Sequence, residues 1–311
     1  MLHDAHNHLQ DEGFAAHLER IADCARELGI ADMVVNGTCE TDWPLVHALA
    51  QRYAFVRPSY GLHPWDAGNR SPAWLETLRA RLAAEPRAAI GEIGIDRWIL
   101  DSARPDDARL AGLRRAPLAE QTEVFLAQLA LATAENRPVT IHCLQAYGQL
   151  DELLHAHPVP ARGFLLHAYA GPAALIPRFA ALGAYFSFNG YFLKDAHAPA
   201  HPSPNSNPNF HSNSHPNPKC HLIGDTLGWG GRLEAFKRVP LDRLLVETDA
   251  PAMPLPTAWR THKLPPAADS SPLNHPGNLE AAYIALAALR GIPLAELTSQ
   301  ATANFTRLFG P

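Results

Sequence analysis

The amino-acid sequence predicts an α/β protein with the (β/α)8 TIM-barrel fold. Short apolar runs alternate with longer helical patterns along nearly the whole of its 311 residues. Eight such repeats favour a closed parallel barrel over an open sheet. Two segments, 97–117 and 191–229, do not follow the repeat, and without them about 250 residues remain, the size of a plain barrel. We therefore expect a single domain, 1–311, with long loop inserts after strands 4 and 7.

The predicted strands are short apolar runs, and the predicted helices carry apolar residues at a period of about 3.6. In segment 118–135, for example, Leu118, Phe125 and Leu129 share one face, and Pro138 keeps the helix from continuing. The strands are expected at 2–6, 33–36, 55–60, 88–93, 139–142, 163–167, 184–188 and 243–248. The helices are expected at 14–28, 42–52, 73–83, 118–135, 147–156, 172–182, 278–290 and 294–309.

The second insert has an unusual composition. In segment 197–221, 20 of 25 residues are Pro, Asn, Ser or His. Such a segment cannot bury enough apolar surface to offset the entropy of ordering, so we expect a disordered loop. The alternatives are a lid over the catalytic rim or a metal-capturing segment, whose ligands would be His197, His201, His211, His215, Cys220 and His221.

Charge and cysteine content exclude several classes of protein. The formal net charge is −5, which argues against a protein that coats duplex nucleic acid. The four cysteines are far apart and form no CxxC pair, which argues against a disulfide framework and a thiolate zinc site. The sequence also shows neither a secretory signal nor a membrane span. We expect a cytoplasmic protein with no membrane partner.

The strongest local signal is a pair of histidines at the end of the first strand. His6 and His8 are two residues apart, so their side chains lie on the same face of a strand. Two imidazoles in this arrangement form one edge of a divalent metal site, although 17 histidines also make such a pair common by chance.

Four further candidate ligands stand where other predicted strands end. They are Glu92 on strand 4, His142 on strand 5, His167 on strand 6 and Asp249 after strand 8. Each alone can be a polar residue at the junction of a strand and its loop. Because parallel strands of a barrel end at the same rim, all six are expected to converge there. The sequence therefore predicts a metal centre at the C-terminal rim.

The sequence resembles the TatD family of metal-dependent hydrolases, a branch of the amidohydrolase-like TIM barrels. The resemblance runs from residue 2 to residue 309 and fails mainly in the two inserts. Its motifs are Asp4-Ala5-His6-Asn7-His8, Gly61-Leu62-His63-Pro64, Gly91-Glu92-Ile93-Gly94-Ile95-Asp96, Ile141-His142-Cys143, Glu247-Thr248-Asp249-Ala250-Pro251 and Asn304-Phe305-Thr306-Arg307-Leu308-Phe309.

This resemblance implies a centre of two divalent ions. His6, His8, Glu92 and Asp249 would hold one ion, and Glu92 would bridge to a second ion held by His142 and His167. One bridging carboxylate allows two cations to approach to about 3.5–4 Å and to provide a metal-bound hydroxide near neutral pH. The ions are Mg, Mn or Zn: the imidazoles favour Zn or Mn, whereas nuclease members of the family are described as magnesium- or manganese-dependent.

Three residues are predicted to be catalytic. Glu92 bridges the ions, and Asp249 orients the attacking water or accepts its proton. His63 resembles the family's substrate-contacting histidine and would donate to a phosphate oxygen. The alternative for His63 is a loop histidine that precedes Pro64 in a turn.

Several loop positions depart from the family pattern. Leu144 and Gln145 stand where the family carries Arg and Asp, Ala170 replaces a Ser, and His275 replaces a Glu. The missing arginine removes a bidentate phosphate donor. Other cations of the loops could replace it or could be ordinary solvated charges: Arg97, Arg104, Arg114, Arg115, Arg260 and Lys263.

The leading hypothesis is a monomeric two-metal phosphodiesterase, a deoxyribonuclease of the 3′–5′ exonuclease type. Its partner is DNA or another phosphodiester, bound at a single-strand end because that needs a small footprint. The alternative is a metal-dependent hydrolase of a carboxylic ester, lactone or amide bond, which the missing arginine favours. A third hypothesis is a barrel that binds metal without turnover.

Overall fold

The fold was analysed in a computed structural model, which describes residues 1–197, 228–229, 231–267 and 271–310. Eight parallel strands follow one another around the sheet in chain order, and this confirms the predicted TIM barrel. They are β1 Leu2–Asn7, β2 Ile30–Asn36, β3 Val56–Tyr60, β4 Ala89–Asp96, β5 Val139–Leu144, β6 Phe164–Leu166, β7 Ala184–Asn189 and β8 Leu244–Glu247.

The barrel closes between its last and first strands. The backbone N–H of Asp249 donates to the carbonyl of His6 at 2.9 Å, and that of His8 donates to the carbonyl of Ala250 at 2.7 Å. These bonds lie just beyond the C-terminal ends of β8 and β1. They therefore bring the residues that follow the two strands to the same place.

Helices cover the outside of the sheet. The bounds of Leu118–Glu135 and Tyr147–Ala156 agree with the prediction, and Asn136, with φ 46°, ends the first of them in the left-handed conformation. The helices are α1 Leu18–Glu27, α2 Trp43–Arg52, α3 Trp74–Ala84, α4 Trp98–Asp101, α5 Leu118–Glu135, α6 Tyr147–Ala156, α7 Ile176–Ala181, α8 Gly231–Arg238, α9 Leu279–Arg290 and α10 Leu294–Phe309. Helix α8 follows the second insert, where the sequence pattern shows no clear helix.

Two apolar clusters hold the barrel together. The larger one packs the helices on the outside of the sheet. The smaller one joins buried strand residues, among them Val34 and Tyr185, to Phe305 and Phe309 near the end of α10. His3 at the start of β1 stacks on Phe305 with ring centroids 4.5 Å apart. This apolar packing surrounds the first part of the strands and leaves the polar residues to gather where the strands end.

The two inserts differ in what the structure describes. Segment 97–117 contains helix α4 and a 3-10 turn, Ala108–Leu110, within an otherwise irregular loop. At the edges of the second insert, Gly190–Asp195 is a 3-10 helix and Ala196–His197 pairs antiparallel with Gly228–Trp229. Apart from the backbone of His197, the expected disorder, lid and metal-capturing roles fall on residues that lie outside the described ranges.

Within the described ranges, no single helix has the length and hydropathy of a membrane span. Pro276–Arg290 and Leu294–Phe309 meet that test only together, across a bend of 109°.

Candidate metal centre

Six side chains meet at the end of the barrel where the strands finish. The structure brings together all six predicted ligands: His6 in β1, His8 just after β1, Glu92 in β4, His142 in β5, His167 just after β6, and Asp249 two residues after β8. Asp249 adopts a left-handed backbone conformation with φ 53°. Its backbone N–H donates to His6, which holds its carboxylate beside the histidine pair.

Four of these side chains form a compact donor cluster. Nε2 of His6 lies 3.2 Å from Nε2 of His8, 3.4 Å from Oε2 of Glu92 and 3.3 Å from Oδ1 of Asp249. Nε2 of His8 lies 3.3 Å and 3.4 Å from the same two oxygens. Four donors around a tetrahedral ion with bonds of about 2.0–2.1 Å are separated by about 3.3–3.4 Å. The cluster therefore has the spacing that a tetrahedral cation needs.

The other oxygen of Glu92 belongs to a second cluster. Oε1 of Glu92 lies 2.9 Å from Nδ1 of His142 and 2.8 Å from Nε2 of His167. These two nitrogens are 3.2 Å apart. Each carboxylate oxygen of Glu92 thus faces a different set of imidazoles, which is the arrangement of a carboxylate between two cations.

In His8 and His142, the ring nitrogen that points away from Glu92 has a hydrogen-bond partner. The nitrogen that faces Glu92 is left free to coordinate a metal ion. Nδ1 of His8 lies 2.8 Å from the carbonyl oxygen of Asn36 and must donate to it, so the lone pair is on Nε2. Nε2 of His142 faces Oδ2 of Asp96 at 3.2 Å, which leaves the lone pair on Nδ1. Carbonyl and carboxylate partners of this kind fix the orientation of metal-binding histidines.

The electrostatics of the centre match a site for cations. Burial opposes ionisation of Glu92, but the surrounding imidazoles, His167 above all, outweigh it and hold its pKa well below the usual range. Burial lowers the pKa of His142, but hydrogen bonds to Asp96 and Glu92 outweigh it and raise that pKa to about 9. The buried carboxylates of the centre stabilise positive charge on the groups beside them. A divalent cation supplies the same charge.

His63 differs from the other imidazoles. Its Nδ1 accepts a hydrogen bond from the backbone N–H of Trp65 at 3.2 Å, so in the neutral ring Nε2 carries the proton. Burial, together with the positive charge of His142, lowers the pKa of His63 and keeps the ring neutral at pH 7. Nε2 points at Oε1 of Glu92 from 3.5 Å. In this tautomer His63 is a donor beside the second cluster, and its ring lies within reach of Glu92 and His142.

Asp4 supports the first cluster, although the sequence marks it only as part of a motif. Its carboxylate accepts hydrogen bonds from the hydroxyl and the backbone N–H of Thr248 at 2.6 Å and 2.9 Å, and from the backbone N–H of His6 at 3.3 Å. Burial raises the pKa of Asp4 to about 7 in spite of these bonds. The side chain ties the end of β1 to the residue before Asp249. The two-residue spacing from His6 was the signal that could have found it.

Asp96 is a second supporting carboxylate. Besides His142, it accepts hydrogen bonds from Nε1 of Trp65 at 2.6 Å and from the backbone N–H of Trp98 at 2.7 Å. It is the last residue of β4, four positions after Glu92. Its partners come from a loop, a helix and a strand, so only the folded chain shows its role.

The arginines of the first insert have partners within the chain. Arg97 pairs with Asp101, Arg104 with Asp106 and Arg114 with Glu120, and Arg115 donates to backbone carbonyls, among them that of Arg104. This pairing favours their interpretation as ordinary surface charges rather than as replacements for the missing phosphate-binding arginine.

Asp66, three residues after His63, allows a prediction for stability. Burial raises its pKa to about 7, and repulsion from Asp42 and Glu92 adds to the shift. A raised acid pKa means that the folded chain binds this proton more tightly than the unfolded chain does. Stability is therefore lost as the pH rises from about 4 to about 7.

Asp66→Asn should remove this loss. We compare the free energy of unfolding of the variant with that of the wild type, measured by urea unfolding. The difference in favour of the variant is expected to be about 1–3 kcal/mol larger at pH 8 than at pH 5. Asp106→Asn, in an exposed ion pair with Arg104, is the matched control and should change little at either pH. If Asp66→Asn changes the free energy of unfolding by the same amount at pH 5 and at pH 8, Asp66 is not protonated in the folded chain.

Comparison with known proteins relates the whole chain to one group of hydrolases. The family model described as TatD related DNase matches residues 3–203 and 230–310. The chain is 26% identical to "Uncharacterized metal-dependent hydrolase YabD" of Bacillus subtilis over 311 residues, covering 99% of each chain. It is 27% identical to "3'-5' ssDNA/RNA exonuclease TatD" of Escherichia coli, covering 97% of this chain and 96% of the relative.

Solved structures agree with the fold. The crystal structure of YJJV, a TatD homologue from Escherichia coli, superposes with a TM-score of 0.75 at 24% identity and covers 100% of this chain and 98% of the other. An uncharacterized amidohydrolase from Saccharomyces cerevisiae superposes with a TM-score of 0.68 at 15% identity, covering 99% of each chain. With a matching model over nearly the whole barrel, the chain belongs to the TatD related DNase family of metal-dependent hydrolases.

Proposed function

We propose that this protein is a phosphodiesterase that uses two divalent ions and removes nucleotides from the 3′ end of single-stranded DNA or RNA. The proposal rests on one observation: the two carboxylate oxygens of Glu92 face two separate donor clusters. Two cations that share one carboxylate would suit in-line displacement at phosphorus. The Escherichia coli relative, named 3′–5′ ssDNA/RNA exonuclease TatD, supports the choice of substrate.

In this proposal the ligands divide between two ions. His6, His8 and Asp249 would hold the first, His142 and His167 would hold the second, and Glu92 would contact both. Their imidazole-rich composition favours Mn or Zn over Mg. Bound ions of this kind offset the charge of a phosphate and acidify water. The single barrel is proposed to act as one catalytic domain and as a monomer.

The chain's own residues then orient the reactants. Oδ1 of Asp249 lies against both imidazoles of the first cluster, and the other oxygen of this carboxylate would accept a proton from an attacking water. Nε2 of His63 carries a proton beside Glu92, where it can donate to a phosphate oxygen as negative charge develops. Asp4 and Asp96 hold the first and second clusters in place through Thr248 and His142.

The proposal is tested with 5′-labelled single-stranded oligonucleotides and the purified protein loaded with Mn²⁺. We expect a ladder of products that shortens from the 3′ end. A protein that binds metal in stoichiometric amounts and yet turns over no oligonucleotide under these conditions is not this enzyme.

His63→Gln should separate catalysis from metal binding. Because His63 is a donor in the structure, its loss is expected to lower kcat by about 10²–10³-fold, as for other transition-state donors. The metal content, measured by mass spectrometry of the purified protein, should equal that of the wild type. A loss of one ion per chain would make His63 a ligand and contradict this role.

The second candidate is hydrolysis of a carboxylic ester, lactone or amide on the same centre. It is favoured by the missing phosphate-binding arginine: Leu144 and Gln145 stand where the family carries Arg and Asp after the histidine of β5. The same preparation should be tested on 4-nitrophenyl esters and lactones. Turnover of these compounds with intact oligonucleotides would select the second candidate, and metal binding without any turnover would select a non-catalytic barrel.

A further inference from the structure

Two indole rings lie side by side on the rim next to the metal centre. Trp65 is in the loop after β3, and Trp98 begins α4 after β4. Their ring centroids are 5.8 Å apart with an angle of 26° between the planes. Both side chains are half-buried, whereas Trp43 is buried completely in the core. The pair therefore keeps aromatic surface in contact with solvent at the rim.

Arg109 of the first insert adds a cation to this pair. Its Cζ lies 4.7 Å from the ring centroid of Trp98 and 5.9 Å from that of Trp65. The ring centroids are themselves 5.8 Å apart, so the guanidinium and the two rings form a triangle with sides of similar length. The guanidinium therefore lies beside both rings rather than between them. A two-point hydrogen bond to Asp107, at 2.9 Å and 2.6 Å, orients the guanidinium. The side chain of Arg109 is 61% exposed.

Asp96 fixes the indoles relative to the metal centre. One oxygen of Asp96 accepts from Nε1 of Trp65, the other accepts from the backbone N–H of Trp98, and the first also faces His142. The ring of His63 lies between this pair and the centre, with its centroid 5.6 Å from that of Trp65 and its Nε2 3.5 Å from Glu92. A phosphate at the centre is thus only one imidazole ring away from an indole.

We propose that Trp65, Trp98 and Arg109 form a platform on which a base next to the scissile phosphate stacks. Every nucleobase has a π face, so stacking on indoles holds a single strand without reading its sequence. The guanidinium adds cation–π attraction to the same surface. The platform gives the first insert a role in substrate binding. This inference rests on the proposed phosphodiesterase activity, because an ester or lactone brings no base.

The test compares substrates that differ only by a base. Three oligothymidylates are used: one intact, one with a tetrahydrofuran abasic residue at the 3′ end, and one with that residue next to the end. The wild type is expected to lose about 5–150-fold in kcat/KM with one of the abasic substrates, the range for one stacked base. In Trp98→Ala, kcat/KM on the intact substrate should fall by the same factor. The ratio of kcat/KM on the intact substrate to kcat/KM on the abasic substrate should then be near one. Trp98→Phe should restore most of the ratio.

The ratio is measured within each enzyme, so a partly unfolded variant does not distort it. Arg109→Gln should raise KM by about two- to five-fold, the size of an exposed cation–π contact. Arg104→Gln, an exposed arginine of the same insert paired with Asp106, is its matched control and should leave KM unchanged. A wild type that cleaves all three substrates equally, or a Trp98→Ala ratio equal to the wild-type ratio, would overturn the platform while leaving the phosphodiesterase intact. Failure to cleave any substrate would instead overturn the proposed function, and the platform with it.

Discussion

Replacing Glu92 with glutamine is expected to lower kcat for metal-dependent hydrolysis by about 10³-fold or more, because an ion supplies several kcal/mol of charge stabilisation to the transition state. Glu92 faces both donor clusters, so the substitution would remove a negative ligand from both of the proposed ions at once. The amide keeps the shape of the side chain. Turnover of the labelled oligonucleotide and metal content per chain are the two measurements.

Glu76→Gln is the matched control for this substitution. Glu76 is an exposed carboxylate in α3, outside the barrel, and its change to glutamine should leave both turnover and metal content as in the wild type. A Glu92→Gln protein that keeps more than a tenth of the wild-type kcat would show that the carboxylate is not shared between catalytic ions.

Removal of the ions is expected to abolish activity and to reduce stability together. A ligand present at about 100 times its Kd stabilises a folded protein by about 2.7 kcal/mol. For a chain of 311 residues that corresponds to a rise in Tm of about 4 °C for each ion. Dialysis against a chelator should therefore lower the Tm by this amount, and Mn²⁺ or Zn²⁺ should restore both Tm and turnover.

The thermal shift also distinguishes specific binding from adventitious binding. Glu92→Gln should show a much smaller rise in Tm on addition of the same ions, whereas Glu76→Gln should show the full rise. Full activity in a chelated protein with fewer than about one tenth of an ion per chain would contradict any metal-dependent mechanism. Equal thermal shifts in all three proteins would place the bound ions elsewhere on the chain.

The barrel could be predicted because its signals are local in the chain. Strand β4 is apolar except for Glu92 in its middle and Asp96 at its end, and helix Leu118–Glu135 has both a periodic apolar face and a proline shortly after its end. Helix α8 was missed since it is short and follows a segment of biased composition. For residues 198–227, the predicted disorder stays a prediction.

The six donors were predictable for a similar reason. Parallel strands end at one rim, so polar residues near strand ends become neighbours whatever the loops between them do. Glu92 was expected at the end of strand 4, but β4 continues to Asp96, so Glu92 lies four residues before that end. The side chains of His6 and His8 lie on one face of β1 because strand residues alternate, and the structure places their Nε2 atoms 3.2 Å apart. This convergence needs only the strand order, which the chain itself specifies.

The sequence by itself determined the parallel barrel, the order of its strands and the identity of the six side chains that meet at its rim, because periodicity and strand ends are properties of neighbouring residues. Only the tertiary structure decided which atoms face one another: the division of the Glu92 oxygens, the protonated nitrogen of His63, and the stacking of Trp65 on Trp98 beside Arg109. These features depend on distances of a few ångströms between residues far apart in the chain. Spacing along the sequence does not encode such distances; the packing of the loops sets them.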